Sequence, residues 1–382
     1  MMVTSILHGI QSKVCRCQNK AWVCAGLTLL LAGCEPFSLT TAQKASSADH
    51  TALSTVMWQQ SYQGASAFAQ ASQRLAYTVT VYCQRDADNE TLSPFLPMQQ
   101  AWRDTMTAWM TLQGRDKGDE AAIALSWHIQ FWPDKKNTTG RQLTQWLKKE
   151  QSEGVEDVAQ ASVAVQGLGA LEWFLYDQPK ALQTPNGCQL ATAISQHLAQ
   201  TGQSLQAVWQ VNPWKNLSEK RVLGIYVGAL NNQLDRTVKK LTMPLGKPGY
   251  PKPYQTEAWR SGTSMRHLKA SVMALQQWYL GKTLRADSIG FSDVNVGTAV
   301  GLDALLRQQG EGQTADRIAL RFEALLADWP AEPSMAVMLK TRAGYRELLN
   351  LYNGLEYIQL ALHDDVAPSL GIVMGFNATD GD

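Results

Sequence analysis

Trp58–Tyr82 reads WQQSYQGASAFAQASQRLAYTVTVY. Within it, Trp58, Tyr62, Ala65, Phe68, Ser72, Leu75, Val79 and Tyr82 follow one another by steps of three and four. A helix of 3.6 residues per turn brings such positions to one face, whereas a strand would need strict alternation. Gln, Ser, Thr and Ala fill most of the intervening positions, so the stripe is amphipathic and needs a packed partner. The period recurs downstream in 95–113 (Phe95, Met98, Trp102, Met106, Trp109), in 157–176, in 188–210 (Leu190, Ile194, Leu198, Leu205) and in 218–241. Pro244–Pro253 (PLGKPGYPKP) interrupts it with a composition suited to neither helix nor strand. Helical periodicity resumes in 256–281, 294–308, 314–328 and 336–363, and strand-like alternation is scarce throughout. The expected fold is all-α, two packed helical bundles: residues 54–243, a Gly/Pro-rich linker at 244–255, and residues 256–382. Ala101-Trp102-Arg103 and Ala258-Trp259-Arg260 recur at the head of a helix in each half. That recurrence would suit an internal duplication.

Residues 1–33 have the order of an export signal. Lys13, Arg16 and Lys20 stand without an acidic neighbour, an apolar run covers Ala21–Leu31, and Leu31-Ala32-Gly33-Cys34 closes it with small residues. The apolar run is too short for a stable membrane span. Leu-Ala-Gly-Cys resembles the lipobox of bacterial lipoproteins, in which the cysteine is acylated and becomes the first residue. Cys34 is therefore the expected lipidation site, and residues 34–53, rich in Ser, Thr, Ala and Gln, read as a flexible tether. Glu35 follows the cysteine where inner-membrane lipoproteins carry aspartate. The expected location is the outer membrane, facing the periplasm, with the membrane itself as a partner through palmitate.

Cleavage before Cys34 removes three of the 34 basic residues and none of the 33 acidic ones, so the formal charge passes from +1 to −2. No basic field remains to attract nucleic acid. With 45% hydrophobic residues and 13 tryptophans, a large packed core is within reach. Cys15, Cys17 and Cys24 leave with the signal, which leaves Cys83 and Cys188 in an oxidising compartment. A disulfide between them is the simplest reading, closing a loop of about 105 residues. Two separate buried thiols form the competing one.

Chemistry concentrates in Gly167-Leu168-Gly169-Ala170-Leu171-Glu172-Trp173-Phe174-Leu175-Tyr176-Asp177. Glu172 is a carboxylate inside an apolar run, which places it on a cleft or makes it costly to bury unpaired. Gly167 and Gly169 would let a ligand or another backbone approach closely. The segment resembles the imelysin family, whose signature is Gly-x-His-x-x-Glu followed by an aromatic, apolar run. Ala101-Trp102-Arg103, Phe131-Trp132-Pro133-Asp134, Cys188 at the head of a helix ending in Trp209, Ser261 and Ser264, and the C-terminal stretch Leu370-Gly371-Ile372 through Gly375-Phe376-Asn377 to Asp380-Gly381-Asp382 are similar to further stretches of that family. The likeness runs from about Ala52 to Asp382.

The resemblance implies a helical envelope protein of a family named for a peptidase, with some iron-regulated members. A His and a Glu three residues apart on a helix would present two metal ligands on one face. Here the signature histidine falls at Gly169, and only Glu172 survives. Glu172 is then either a ligand, for iron or another divalent or trivalent metal, or a structural carboxylate bonded to Arg103 or Ser264. His128 and His267 are the histidines placed to approach it, and Asp380 contributes to an acidic cluster at the C-terminus. Trp132 and Trp102 read as core packing or as cleft lining. The expected ligand-binding set is Glu172, Gly167, Gly169, Arg103, Ser264, Trp132 and Asp380, with no catalytic residue assigned. No nucleophile elbow, His-Glu-x-x-His or phosphate loop is present. The expected function is a non-catalytic lipoprotein that binds iron or another ligand, with envelope iron-uptake proteins as partners. The alternative is a metallopeptidase with a degenerate or rearranged site.

Overall fold

The computed structural model describes residues 42–85, 95–115, 119–148, 155–287, 290–294 and 300–373. The expected signal peptide, Cys34 and Asp380 lie outside the described residues. Among the described residues, the chain is all-α apart from one hairpin. Its helices are α1 (Ala42–Gln84), α2 (Phe95–Leu112), α3 (Glu120–Ile129), α4 (Thr138–Trp146), α5 (Val155–Gln160), α6 (Gly167–Glu172), α7 (Pro185–Val208) and α8 (Glu219–Leu245). After them come α9 (Ser264–Leu280), α10 (Leu302–Gln308), α11 (Gly312–Ala327), α12 (Met335–Met338), α13 (Arg342–Ala361) and α14 (Ala367–Ser369). Strands β1 (Thr283–Asp287) and β2 (Gly290–Val294) pair antiparallel between α9 and α10, with Thr283 opposite Val294. No helix among the described residues is long and apolar enough to cross a membrane.

The stripe that began at Trp58 is the buried face of α1: Ala65, Phe68, Ser72, Leu75, Val79 and Tyr82 are all withdrawn from solvent. The helix also starts earlier than the expected tether allowed, at Ala42. Residues 42–63 hold neither Gly nor Pro, and Ala, Gln and Lys favour extending the helix N-terminally. Start signals are explicit elsewhere. Asp119 accepts from Ala122 N, Thr184 from Gly187 N with Pro185 in the first turn, and Thr341 from Gly344 N.

Several boundaries differ from the periodic reading: the helix expected over 336–363 is divided into α12 and α13, and the one expected over 294–308 starts only at Leu302. The helix expected over 157–176 is divided: Ser162 caps a short 3-10 turn, α6 starts at Gly167, and a π-turn covers Trp173–Asp177. The break expected at Pro244 begins instead at Gly246, because α8 carries Pro244 in its last turn and only then reverses. A proline near the C-terminal end costs one hydrogen bond without having a long continuing helix to kink. Residues 256–263, expected to be helical, form an irregular turn ahead of α9.

The two halves on either side of Gly246 do not own separate cores. One continuous apolar cluster includes Trp102 and Met106 of α2, Tyr226 and Leu234 of α8, Leu268 and Trp278 of α9, and Leu355 and Ile358 of α13. α2 packs on α9, and α8 lies between α9 and α13. Arg115, just past α2, donates to Gln233 Oε1 and to Ala274 O, at 3.0 Å each, and so ties three helices together. Cys83 and Cys188 form a disulfide with Cα atoms 5.4 Å apart, fastening the end of α1 to the first turn of α7.

Candidate functional site

α6 is placed by its backbone. Trp102 Nε1 donates to Leu168 O at 2.9 Å. Gly167 has φ of 65°, and a Cβ there would lie 2.2 Å from Ile129 O. Only glycine permits both that conformation and that approach. Gly169 is different: a Cβ at this half-exposed position would meet only Phe131 O, at 3.9 Å. One turn on, Glu172 is buried, with 4% of its surface exposed.

The partner of Glu172 comes from the second half of the chain. Its Oε1 accepts from the backbone N–H of Ser261 at 2.9 Å. Burial raises the Glu172 carboxyl above the ordinary carboxylate range, while the Ser261 hydrogen bond and the nearby Arg260 charge pull it back down. The turn that offers this N–H is unusual. Ala258 sits at φ of 52°, a left-handed conformation rare for a residue with a Cβ, and Ser261 Oγ donates back to Ala258 O at 3.0 Å.

From Ser261 a chain of polar side chains runs inward. Ser261 Oγ lies 2.8 Å from Thr263 Oγ1, which lies 2.9 Å from His267 Nε2, and His267 Nδ1 lies 3.3 Å from Thr107 Oγ1. Both ring nitrogens of His267 are therefore engaged by hydroxyls. Complete burial, with Arg266, Lys240 and Arg103 adding positive charge, holds His267 down to about 3, so the ring is neutral. Beside it lies a second buried group. Lys240 Nζ pairs with Glu257 Oε1 at 2.8 Å and contacts Gln113 Oε1, while Gln130 Nε2 donates to Glu257 Oε1 at 2.8 Å and Gln130 Oε1 accepts from Trp109 Nε1 at 2.9 Å. Burial lowers the Lys240 ammonium, and Glu257 opposes that shift.

Arg260, whose charge acts on Glu172, spans the junction. Its Nη2 donates to Asn137 Oδ1 at 2.6 Å and its Nε to Asp177 Oδ2 at 3.4 Å, and its guanidinium lies 4.5 Å from the Trp259 ring centre. Next to these contacts opens a cleft of about 420 Å³, lined by Asn137, Arg141, Thr144, Lys148, Trp173 and Asp177 among others. The cleft begins where the π-turn leaves α6, at the exposed end of the segment that carries Glu172.

Neither side chain expected to bond Glu172 does so. Arg103 does not bond to it. Its Nη1 donates to Tyr176 Oη at 3.1 Å and its Nη2 to Gln100 Oε1 at 2.8 Å, because α2 carries it past the carboxylate. Ser264 is buried at the start of α9, where its Oγ accepts from Met335 N at 2.8 Å, and Ser261 holds Glu172 in its place. Trp132 faces the buried lysine, with Lys240 Nζ 5.9 Å from its ring centre. His128 turns toward Gln166, 2.6 Å from Oε1, and away from Glu172. Lys240 and Glu257 escaped the sequence reading because a Lys on a helix and a Glu in a loop normally signal solvent. Thr263 and Thr107 gave no signal at all.

A metal pair of the kind the resemblance implies does not fit these residues. Position 169 supplies no imidazole, one Glu172 oxygen is committed to Ser261, and His267 has both nitrogens occupied. Among the described residues no three His, Cys, Asp or Glu side chains converge to hold an ion.

Comparison with known proteins agrees with this architecture. A family model described as Imelysin matches residues 59–362. An imelysin-like protein from Psychrobacter arcticum 273-4, a crystal structure, superposes with a TM-score of 0.68 at 19% identity, covering 87% of this chain and 98% of that one. A putative iron-regulated protein A precursor from Parabacteroides distasonis ATCC 8503 gives a TM-score of 0.60 at 14% identity over 82% of this chain and 95% of that one. At those identities the likeness is one of fold. A search of curated proteins found no match.

Proposed function

The chain belongs to the imelysin family, and from that premise we propose that it is a lipid-anchored envelope protein that binds a ligand and does not cleave peptides. The observation that carries this reading is the position of Glu172. Its carboxylate is buried, lies near the Arg260 charge and is bonded to Ser261 N, while the accessible space lies one turn further on, in the cleft between α4 and the π-turn. A peptidase needs a water activated by a metal or by an aligned base. Gly169 removes one half of the family pair, and His267, the nearest alternative, spends both nitrogens on threonine hydroxyls. The cleft suits binding instead. Arg141 and Lys148 supply positive charge, Asn137 and Thr144 supply hydrogen bonds, and Trp173 contributes an apolar wall. Such a lining favours an anionic or oxygen-rich ligand. A ligand there would touch Asp177 and Asn137, the two residues that hold Arg260, and so reach the Ser261–Glu172 contact.

The link to iron acquisition draws on the family and on one structural relative, the putative iron-regulated protein A precursor from Parabacteroides distasonis. An anionic ferric chelate is consistent with the lining of the cleft. The place of action follows from Leu31-Ala32-Gly33-Cys34: acylation at Cys34, with Glu35 after it, directs the protein to the outer membrane facing the periplasm.

The test takes the full-length protein in detergent. Ferric citrate should bind in equilibrium dialysis, and Arg141→Glu should abolish that binding with the melting temperature unchanged. Glu172→Gln should weaken it less. Cells should label the protein with palmitate, and Cys34→Ala should remove both the label and the membrane association. Chelator-sensitive cleavage in a broad peptide screen would overturn the reading in favour of a rearranged metallopeptidase.

A further inference from the structure

We propose that His128, His197 and Gln166 form a binding site for a divalent first-row transition-metal ion, held by two imidazole nitrogens and one amide oxygen. Three elements converge to make it: the last turn of α3 brings His128, the middle of α7 brings His197, and the turn ahead of α6 brings Gln166. His128 Nδ1 lies 2.6 Å and His197 Nε2 lies 3.3 Å from the same atom, Gln166 Oε1. The two rings stand with centres 6.0 Å apart and planes at 81°.

The glutamine is fixed in the orientation a ligand needs. Its side-chain NH2 donates to Val158 O at 2.8 Å and to Ala161 O at 2.9 Å, and the residue is 1% exposed. Both amide hydrogens are therefore spent on backbone carbonyls, and Oε1 necessarily faces the two rings. Each ring now donates an N–H to that oxygen, so one acceptor serves two donors. Binding an ion moves the imidazole protons to the outer nitrogens, His128 Nε2 and His197 Nδ1. The inner lone pairs then turn to the metal. Both histidines are half-exposed.

The spacing is that of ligands around one ion. With metal–ligand distances of about 2.1 Å, ligand atoms at right angles stand about 3 Å apart. The two observed nitrogen–oxygen separations fall on either side of that value. Two imidazoles with an amide oxygen select borderline ions such as Cu²⁺, Ni²⁺ or Zn²⁺ over Ca²⁺ or Mg²⁺, and waters complete the shell on the exposed side. None of the three residues bonds to Glu172 or Ser261, so the site is independent of the cleft reading.

The experiment uses untagged, chelator-stripped, full-length protein in detergent, dialysed against Zn²⁺ and separately against Cu²⁺. One ion per chain should bind, and the Cu²⁺ electron paramagnetic resonance spectrum should carry coupling to two imidazole nitrogens. His128→Gln and His197→Gln should each weaken binding by about tenfold or more, and the double variant should lose it. Glu172→Gln should bind as wild type. The spectrum of the wild type tests the assignment even if a variant fails to fold. No bound ion in the wild type, or an unchanged two-nitrogen signature in the folded double variant, would overturn the proposal.

Discussion

Gly167 and Gly169 stand two residues apart, yet the structure asks different things of them. At Gly167 an added methyl meets Ile129 O at 2.2 Å in a left-handed conformation, so Gly167→Ala should destabilise by about 2 kcal/mol or more in chemical denaturation. At Gly169 the space is open, and Gly169→Ala should be neutral or stabilise by up to about 1 kcal/mol, as expected for a helical glycine. Gly169→His should fold for the same reason without gaining a tight metal site, since the described residues offer no third ligand beside Glu172. A second ion per chain in that variant, beyond the one held at His128, His197 and Gln166, would place a third ligand among residues outside those described. His267 gives a pH signature. Its folded value of about 3 lies below the ordinary 6.5, so in that window the unfolded chain takes up a proton that the folded chain refuses. Stability should fall on acidification from 6.5 toward 3, by at most about 1.4 kcal/mol per pH unit. His267→Gln should flatten that slope. Glu172 has the opposite sign: its carboxyl is raised above 4.5, so its contribution is present below that pH and fades as pH rises. Glu172→Gln keeps an acceptor for Ser261 N and should leave the protein as stable or more stable above pH 4.5, read by melting temperature.

Among the elements, α8 and the turn before α9 carry the costliest arrangement, the Lys240–Glu257 pair, whose side chains are 2% and 4% exposed. Removing one partner leaves the other charge buried alone. Lys240→Met should therefore cost about 3–5 kcal/mol, while Lys240→Met with Glu257→Gln should recover much of that loss. A double-mutant cycle on unfolding free energy measures the difference, and equal losses in single and double variants would contradict it. Element type was readable along most of the chain because a one-sided apolar stripe has few solutions other than a helix. Ends were less readable. α6 is cut short by its left-handed Gly167, α8 runs through Pro244, and α9 waits until Ser264, each boundary being set by what packs against it.

Among the described residues, the molecule rests on one continuous core and one disulfide. The disulfide joins residues 105 apart. Cys83→Ser should lower unfolding stability by about 2–5 kcal/mol without changing the helical circular dichroism of the folded protein. A loss well below that range would mean that α1 and α7 are already held together by packing alone. Cys83 and Cys188 could be paired by elimination, and the stripe on α1 and the Gly-rich segment of α6 identified the fold class and the family from residue order. Those are local features, written in spacing and composition, and a sequence displays them directly. The neighbours of Glu172 were not written there. A backbone N–H has no side-chain signature, so Ser261 emerged as its partner only when α2 carried Arg103 past the carboxylate and α9 turned Ser264 toward Met335. The burial of Lys240 and Glu257, and the meeting of His128, His197 and Gln166, likewise depend on residues far apart in the chain. Such contacts arise from how helices from both halves share one core, which no periodicity within a single helix encodes.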